Sequence, residues 1–444
     1  MDETSADALA LFQRCISSSV IEYWQKQARS KIRRCLYTVP VVLWLMILQR
    51  LQPRGTLATG VEALLAGAAD GLLCGCGRAR RPSASRRTGG YSHARQRLPK
   101  RLCWQVMQEL VQRLREILRP EGGQPCYVLD GSSLELEASP RLRKVYPPAE
   151  NQQGRAHWPV LRILVTHELE TGLAETPQWG PMYGDAAVSE QQLAERAIGN
   201  LPRGSILVGD RNFGVFSVVR AAQQHGHGVV LRLTETRAHK LRGGTIGEAG
   251  EWMVRWTPSR FDGQRQGGMP EGAAVDGRLI AARIGRGRSK KWLYLFTTLP
   301  GPPEELAALY GKRSRIETDL RSLKRTVRLH HVAARNESMM EKELLMGVAA
   351  YNLVRAVMAL AARRHHLAPR QLSFTFVRNV VNARWPRLQS APNAGTYQHE
   401  VFELLDAAAQ GIHPRRRKAR ACPRAVWHRR HTFPARKEES DGLS

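Results

Sequence analysis

Two short apolar runs, each ending at an aspartate, constrain the fold of this 444-residue chain most strongly. Cys126–Leu129 leads into Asp130, and residues 205–208 lead into Gly209 and Asp210. Four-residue apolar runs between turn residues are typical of strands that are buried on both faces of a sheet. If the two strands are neighbours, their aspartates lie at the same level of one sheet edge. Either aspartate alone is more often a turn residue.

A proline-free segment further along the chain carries a third carboxylate among cations. Because an α-helix turns by about 100° per residue, Tyr310, Arg313, Glu317 and Lys324 fall within an arc of about 60°. Such a face can bind a metal ion through Glu317 while the cations bind phosphates. The alternative is a solvated helix with ion pairs such as Arg313 with Glu317, and the segment alone favours it. The two strand-end aspartates favour the metal site.

Three carboxylates from two strands and a helix form a cage for hard divalent cations. Two such ions about 4 Å apart activate a nucleophile and stabilise the leaving oxygen in phosphodiester chemistry. Asp319 lies about 200° around the helix from Glu317, so we expect it to be exposed. We assign no chemistry to three further acids that fall in loops or on exposed strand faces, namely Glu135, Glu137 and Asp185.

The charge balance indicates a polyanionic partner. The chain has 68 Lys and Arg against 39 Asp and Glu, a net charge of +29. Because this excess is spread over both termini and the middle, a nucleic acid lying across several domains explains it better than a membrane patch. The most apolar run, residues 37–48, is too short to span a bilayer. The start of the chain, residues 1–8, does not resemble a secretory signal, so we expect a cytoplasmic protein with no membrane partner.

The pattern along the chain predicts an α/β protein with five parts. Helical periodicity dominates the N-terminal part, alternating strands and helices follow, and a β-rich interval separates them from further helices. A helix over residues 338–365 has a broad apolar face and should pack on the sheet. The predicted parts are a helical DNA-binding domain (1–120), a core in two pieces (121–233 and 301–370), a β-rich insertion (234–300) and a basic C-terminal region (371–444).

The helix signature resembles that of a known family. Four residues match the Y-(2)-R-(3)-E-(6)-K signature of the insertion-sequence-four type of DDE transposases: Tyr310, Arg313, Glu317 and Lys324. The run that begins at Asp130 resembles the D-G-[ST] strand of that family, and the run that begins at Asp210 resembles its D-R-x-[FY] turn. The resemblance covers most of residues 37–365.

The resemblance implies a ribonuclease-H-like core, a mixed sheet flanked by helices, with a β-rich insertion and an α-helical N-terminal domain. It implies that Asp130, Asp210 and Glu317 bind two Mg²⁺, which Mn²⁺ can replace, and that the protein cuts transposon ends by hydrolysis. The freed 3′ hydroxyl then attacks target DNA. In hairpin-forming members a Trp of the insertion stacks on a flipped base. The residues implied in DNA contact are Tyr310, Arg313, Lys324, Arg211 and Trp292, with Trp252 and Trp256 as rivals of Trp292.

The implied partners are double-stranded DNA at the terminal inverted repeats and at the target, with a dimer assembled on the DNA. The implied location is the bacterial cytoplasm, associated with the nucleoid. Two alternatives remain open. One is a transposase-derived DNA-binding protein without catalysis, because the +29 charge supports binding in either case. The other is a structure-selective nuclease that shares the core but lacks strand transfer.

Overall fold

The structure, a computed structural model, describes most of the chain. The described residues are 8–16, 21, 23, 26, 36–53, 55–73, 85–118, 123–151, 154–263, 270–284, 291–330 and 332–413. Residues 414–444 of the predicted basic C-terminal region lie outside these ranges, so what the sequence predicts there stays a prediction.

The strands form a seven-stranded sheet and a smaller sheet beside it. Their bounds are β1 (Cys126–Leu129), β2 (Gly131–Glu135), β3 (Pro148–Asn151), β4 (Gly154–Leu164), β5 (His167–Glu168), β6 (Gln178–Pro181), β7 (Ile206–Gly209), β8 (Gly228–Arg232), β9 (Gly250–Trp256), β10 (Val275–Ile284) and β11 (Lys291–Thr297). The large sheet has the order β5-β1-β7-β8-β11-β10-β9. Strand β7 is parallel to both β1 and β8, and the other pairs are antiparallel.

The two sheets share one antiparallel ladder. Tyr127 of β1 pairs with Glu168 of β5, and Gly131 of β2 pairs with Leu164 of β4 in the same register. Strands β1 and β2 are therefore successive parts of one bent strand that runs beside β4 and β5, with β6 on the far side of β4. Three antiparallel strands followed by the parallel strands β7 and β8 give the mixed sheet of a ribonuclease-H-like core. The predicted fold class is confirmed.

Helices surround these sheets and fill both ends of the described chain. Their bounds are α1 (Ala8–Cys15), α2 (Val39–Leu51), α3 (Leu57–Leu65), α4 (Gly89–Arg97), α5 (Lys100–Leu118), α6 (Pro140–Val145), α7 (Glu190–Ile198), α8 (Phe216–Gln224), α9 (Glu235–Arg242), α10 (Arg260–Gly263), α11 (Pro303–Gly311), α12 (Arg315–Arg321), α13 (Glu337–Arg364), α14 (Phe374–Gln389) and α15 (Ala394–Ala409). Helix α8 makes the crossover between the parallel strands β7 and β8, as right-twisted parallel strands require.

Helix α13 shares one apolar cluster with residues of the smaller sheet such as Leu134 and Ile163, as predicted, but it is not packed through one face only. Its side chains are buried around almost the whole circumference from Met340 to Ala362. The helices α2, α5, α14 and α15 pack around it, and the Trp44 and Trp385 rings of α2 and α14 stack with centroids 5.1 Å apart. A helix that is apolar all round belongs in a core. Among the described residues α13 alone has the length and apolarity to cross a membrane, and 94% of its most apolar window is buried inside the protein.

The predicted insertion 234–300 prolongs the central sheet. Strand β11 pairs with β8, so that Phe296 lies opposite Leu231, and β10 and β9 follow as the outer strands. The interval is therefore β-rich in its described part, with the short helix α9 in front of β9. The bounds of the five predicted parts stay predictions. The N-terminal helices share one apolar cluster with α13, α14 and α15, so they do not form a core of their own.

The helical segment that carries the predicted signature is not a uniform α-helix. A turn of 3₁₀-helix, Lys312–Ser314, separates α11 from α12, and a π-helical turn, Ser322–Thr326, follows α12. The segment ends near Val327, and Arg328 has a positive φ of 61°. Single π turns inside helices are frequent at functional sites.

Candidate active site

The two strand-end aspartates lie side by side at one edge of the central sheet. Leu129 pairs with Gly209 in the parallel ladder of β1 and β7, so Asp130 and Asp210 follow at the same level. Each carboxylate also holds its own turn. Asp130 accepts a hydrogen bond from the backbone N–H of Gly131 at 3.0 Å, and Asp210 accepts one from Asn212 at 2.9 Å. The strand-end prediction therefore describes their relative position correctly.

The surroundings of Asp130 raise the pKa of its carboxyl from 3.8 to about 6. Burial is the largest cause, the Arg313 guanidinium opposes it, and the negative charges of Asp210 and Glu190 add to it. A raised carboxyl pKa from burial together with like charges is a property of functional sites. A bound divalent cation would favour the ionised form of this carboxyl.

Glu317 lies on α12, beside the cleft that Asp130 lines. Its side chain is 62% exposed, and its Oε1 lies 3.9 Å from an Nη2 atom of Arg313. Glu317 and Asp130 line one open cleft of about 770 Å³. Its other lining residues are mostly cations from the end of the helical segment, namely Leu320, Arg321, Lys324, Arg325 and His330. The structure thus brings the third predicted acid to the cleft of the first.

The donor set suits a hard divalent cation, because carboxylate oxygens are the ligands that Mg²⁺ and Mn²⁺ prefer. Asp130 and Asp210 are adjacent and half-buried, whereas Glu317 points into open solvent. Within the described ranges no group of three or more His, Cys, Asp or Glu side chains is arranged closely enough to hold a metal ion. The residues fit a metal by type and by location, and Glu317 would have to approach the aspartates to complete the site.

The predicted phosphate contacts occupy different environments. Lys324 is half-buried, and its Nζ donates a hydrogen bond to the Ser132 hydroxyl at 3.0 Å. Ser132 lies in β2, the strand that follows Asp130. Arg313 is largely buried beside Glu317, and Tyr310 packs into the apolar cluster beneath α11 and α12. Arg211 is exposed in the turn after Asp210. Of these predicted contacts, Lys324 lines the cleft and Arg211 is exposed, so these two are the ones that a DNA backbone can reach.

The tryptophans predicted to compete for a flipped base fall into two groups. Trp256 is 7% exposed and packs between Phe216 and Phe296, so it belongs to the core. Trp252 and Trp292 are half-buried, and each carries an arginine over its ring, Arg242 at 4.6 Å and Arg283 at 4.7 Å from the centroids. Trp256 is therefore removed from the rivals, and the assignment of Trp292 stays a prediction beside Trp252.

Asp319 is not exposed, and that prediction was wrong. Its side chain is 0% exposed and pairs with the guanidinium groups of Arg355 and Arg370. The helical angle turns Asp319 away from Glu317 as expected, but that side of α12 faces the protein. Burial raises the pKa of a carboxyl, yet Arg355 and Arg370 bring the pKa of Asp319 below its usual value. A buried carboxylate can remain charged when two cations contact it.

Two residues near the aspartates were missed by the sequence reasoning. Asn212 donates to Glu190 at 2.5 Å, and Glu190 is the first residue of α7. A Cβ built on Gly131 would lie only 2.5 Å from the carboxyl carbon of Glu190, so this acid packs against the turn after Asp130. The N-cap at Ser189 was the only local signal in the sequence. Nothing in the spacing connects residue 190 to residue 130.

A comparison with known protein families shows which family the chain belongs to. The family model described as "Transposase DDE domain" matches residues 121–353, more than half of the chain. The chain therefore belongs to the DDE transposase family, which confirms the coarser part of the predicted resemblance. No curated protein sequence matches it.

Among solved structures, the chain is similar to a piggyBac transposase in its synaptic complex with hairpin DNA. The TM-score is 0.44 at 8% sequence identity, over 93% of this chain and 86% of that chain. At that level the likeness supports no residue assignment.

Proposed function

We propose that this protein is the transposase of a bacterial insertion sequence of the insertion-sequence-four type. It binds the terminal inverted repeats, cleaves DNA at the element ends and joins the freed 3′ hydroxyls to target DNA. The observation that carries the proposal is the register of β1 and β7, which sets Asp130 and Asp210 side by side within the family region 121–353. Glu317, which belongs to the Y-(2)-R-(3)-E-(6)-K signature, lines the same cleft as Asp130.

In this proposal the three acids hold two Mg²⁺, or Mn²⁺ in their place. When bound, such ions lower the pKa of a nucleophilic water or hydroxyl and stabilise the leaving oxygen. The chain's own residues bind and orient the DNA. Lys324 and Arg313 neutralise phosphates beside the cleft, Arg211 does so at the turn after Asp210, and Tyr310 supports the helix from the apolar side.

The partners follow from the charge and the chemistry. The net charge of +29 supports binding of double-stranded DNA along a broad surface. Joining two element ends requires two active sites, so we propose a dimer on the DNA. For a hairpin intermediate we propose that Trp292 stacks on a flipped base, because base stacking on an aromatic ring is worth about 1–3 kcal/mol.

The test is cleavage of DNA that carries the inverted repeats flanking the gene. Purified protein with Mg²⁺ should cut at the element ends, and Asp130→Ala, Asp210→Ala and Glu317→Ala should each abolish cutting while DNA binding persists. Asp185→Ala, at an exposed position in a loop, is the matched control and should cut at the wild-type rate. Cleavage retained by any of the three variants removes that residue from the site.

A second candidate function is DNA binding without catalysis. It is favoured by one observation, the lack of a closely arranged metal-binding group within the described residues. Calorimetric titration with Mn²⁺ in the presence of end DNA separates the two functions. The transposase binds the ion at millimolar concentration or below, whereas a protein that only binds DNA shows no heat beyond that of the ion with the DNA alone.

A further inference from the structure

Asp319 is a buried carboxylate two residues after Glu317, and it contacts two arginines from other parts of the chain. One of its oxygens pairs with Arg355 of α13 and the other with Arg370 of a 3₁₀ turn, Pro369–Gln371. The side-chain exposures are 0% for Asp319, 3% for Arg355 and 10% for Arg370. Both carboxylate oxygens thus have a charged partner, which is the arrangement that a buried charge requires.

Both arginines are themselves hydrogen-bonded to the backbone of residues 168–172, Arg370 directly and Arg355 through Tyr351. This segment begins in β5, an edge strand of the large sheet. Arg370 donates from Nε to the carbonyl of Leu169 at 2.9 Å and from Nη2 to that of Glu168 at 3.0 Å. Arg355 donates to the Tyr351 hydroxyl at 2.8 Å, and this hydroxyl donates to the carbonyl of Gly172 at 3.0 Å. The carboxylate of α12 is therefore tied to backbone that lies beside strand β5.

This segment is the neighbour of the strand that ends at Asp130. Glu168 pairs with Tyr127 of β1, three residues before Asp130. On the helix side, Asp319 and Glu317 lie about 200° apart, so fixing one toward the protein directs the other toward the cleft. A path of hydrogen bonds thus runs from the helix that carries Glu317 to the strand that carries Asp130.

We propose that Asp319, held by Arg355 and Arg370, is a positioning residue that sets Glu317 relative to Asp130. The proposal rests on the proposed function, because it concerns the third metal-binding acid. Stability alone is a poor reason for such a cluster, since apolar side chains of similar volume often replace buried ion pairs without loss. Apolar replacements would not fix the rotation of α12 against the sheet edge, and a carboxylate held in place from behind binds metal more tightly.

The experiment uses the full-length chain at a temperature at which each variant is fully folded by circular dichroism. Asp319→Asn should lower the single-turnover cleavage rate about 100-fold, because a displacement of about 1 Å has that effect on a reacting group. It should weaken Mn²⁺ binding by about 10- to 100-fold in calorimetry. The affinity for end DNA should stay within about twofold, because Arg313, Lys324 and Arg211 all lie outside α12.

Arg370→Lys and Arg370→Gln give a second pair of variants that does not depend on the folding of Asp319→Asn. Arg370→Lys keeps a positive charge beside Asp319 and should retain part of the Mn²⁺ affinity that Arg370→Gln loses. Asp406→Asn is the matched control. It removes a carboxylate that pairs with Arg364 and His365 at the far end of α13, and it should behave as wild type.

Folded variants at Asp319 and Arg370 with wild-type Mn²⁺ affinity and cleavage overturn the inference. A loss of DNA affinity in parallel with the loss of cleavage also overturns it, since that is what a general structural role produces. If the wild-type chain neither binds Mn²⁺ nor cleaves, the proposed function fails together with this inference. If wild type is active and the variants equal it, only the inference fails.

Discussion

Lys324 is half-buried at the border of the cleft, with its ammonium group on the Ser132 hydroxyl. Burial lowers the pKa of Lys324 below its usual value. A phosphate bound beside Lys324 would stabilise the charged form of this side chain. Lys324→Ala should therefore weaken end binding and reduce the slope of log K against log salt by about one.

The matched control for Lys324 is Lys312→Ala. Lys312 lies on the same helical segment but pairs with Glu170 at 3.1 Å, away from the cleft. We expect its salt slope to equal that of wild type when both are measured by fluorescence anisotropy. A wild-type slope for Lys324→Ala would place this lysine on a solvated face instead.

His167 gives the protein a pH dependence of stability. It is 0% exposed, its Nδ1–H donates to the carbonyl of Val165, and burial lowers its pKa from 6.5 to about 4. The unfolded chain therefore binds a proton at a higher pH than the folded chain does. The stability from neutral His167 is complete above pH 6.5 and is lost as the pH falls toward 4.

Urea unfolding at pH 7 and pH 5 measures this effect. Wild type should lose about 2 kcal/mol more than His167→Asn over that interval. The same change at the exposed His399 is the control and should keep the wild-type loss. Equal losses for wild type and His167→Asn would show that folding does not lower the pKa of His167.

At the residue level, pattern and spacing could predict Asp130, Asp210 and Glu317 as members of one region. They could not predict what lies behind α12, because two arginines separated from Asp319 by 36 and 51 residues decide its burial. Glu190 was missed for the same reason, since its contact with the Gly131 turn is created by folding alone. Local angles can be read from the sequence, whereas the surroundings of a side chain depend on distant segments.

At the element level, the turn after β7 is fixed by the close approach of two backbones. The N–H of Gly214 donates to the carbonyl of Asp210 at 3.1 Å, and a Cβ built on Gly214 would lie 2.1 Å from the carbonyl oxygen of Arg232. Gly214→Ala must therefore push the Asp210 turn away from β8. We expect a loss of about 1–3 kcal/mol in unfolding free energy, together with weaker Mn²⁺ binding.

Gly244→Ala is the matched control for Gly214→Ala, because a Cβ at Gly244 meets nothing within 4 Å. Its unfolding free energy and Mn²⁺ affinity should equal those of wild type. Unchanged stability in Gly214→Ala would mean that the turn has room to relax and does not depend on the contact with β8.

The elements themselves differ in how far the sequence predicts them. The apolar runs that form β1 and β7 could be recognised because both faces of each strand are buried, which leaves no polar alternation. The 3₁₀ and π turns around α12 could not, because their residues are ordinary helix formers. The surroundings of α13 were predicted only in part, because a helix that is apolar on many sides can contact a sheet and other helices at once.

At the scale of the whole molecule, the described residues up to Ile412 belong to one compact unit. Residues 414–444 contain ten Lys and Arg but only three acids. Deleting them should lower the DNA affinity and decrease the salt slope by more than one, because several phosphate contacts are lost together.

Anisotropy titrations of the truncated and full-length chains at several salt concentrations test this prediction. A truncated chain with wild-type DNA affinity and slope would show that the basic C-terminal stretch is a solvated tail. Composition predicted the polyanionic partner for the molecule as a whole. It could not predict that the N-terminal helices share one core with α13, α14 and α15, because apolar periodicity does not identify the partner of an apolar face.

The central claim is that Asp130, Asp210 and Glu317 together form the metal site of a DNA-cleaving enzyme. Anomalous diffraction from crystals of the protein with end DNA and Mn²⁺ tests it most directly. The account predicts manganese bound by all three carboxylates, with Glu317 drawn in from the solvent. Manganese bound by Asp130, Asp210 and Glu190 while Glu317 stays exposed, or no manganese at the aspartates at all, would contradict it.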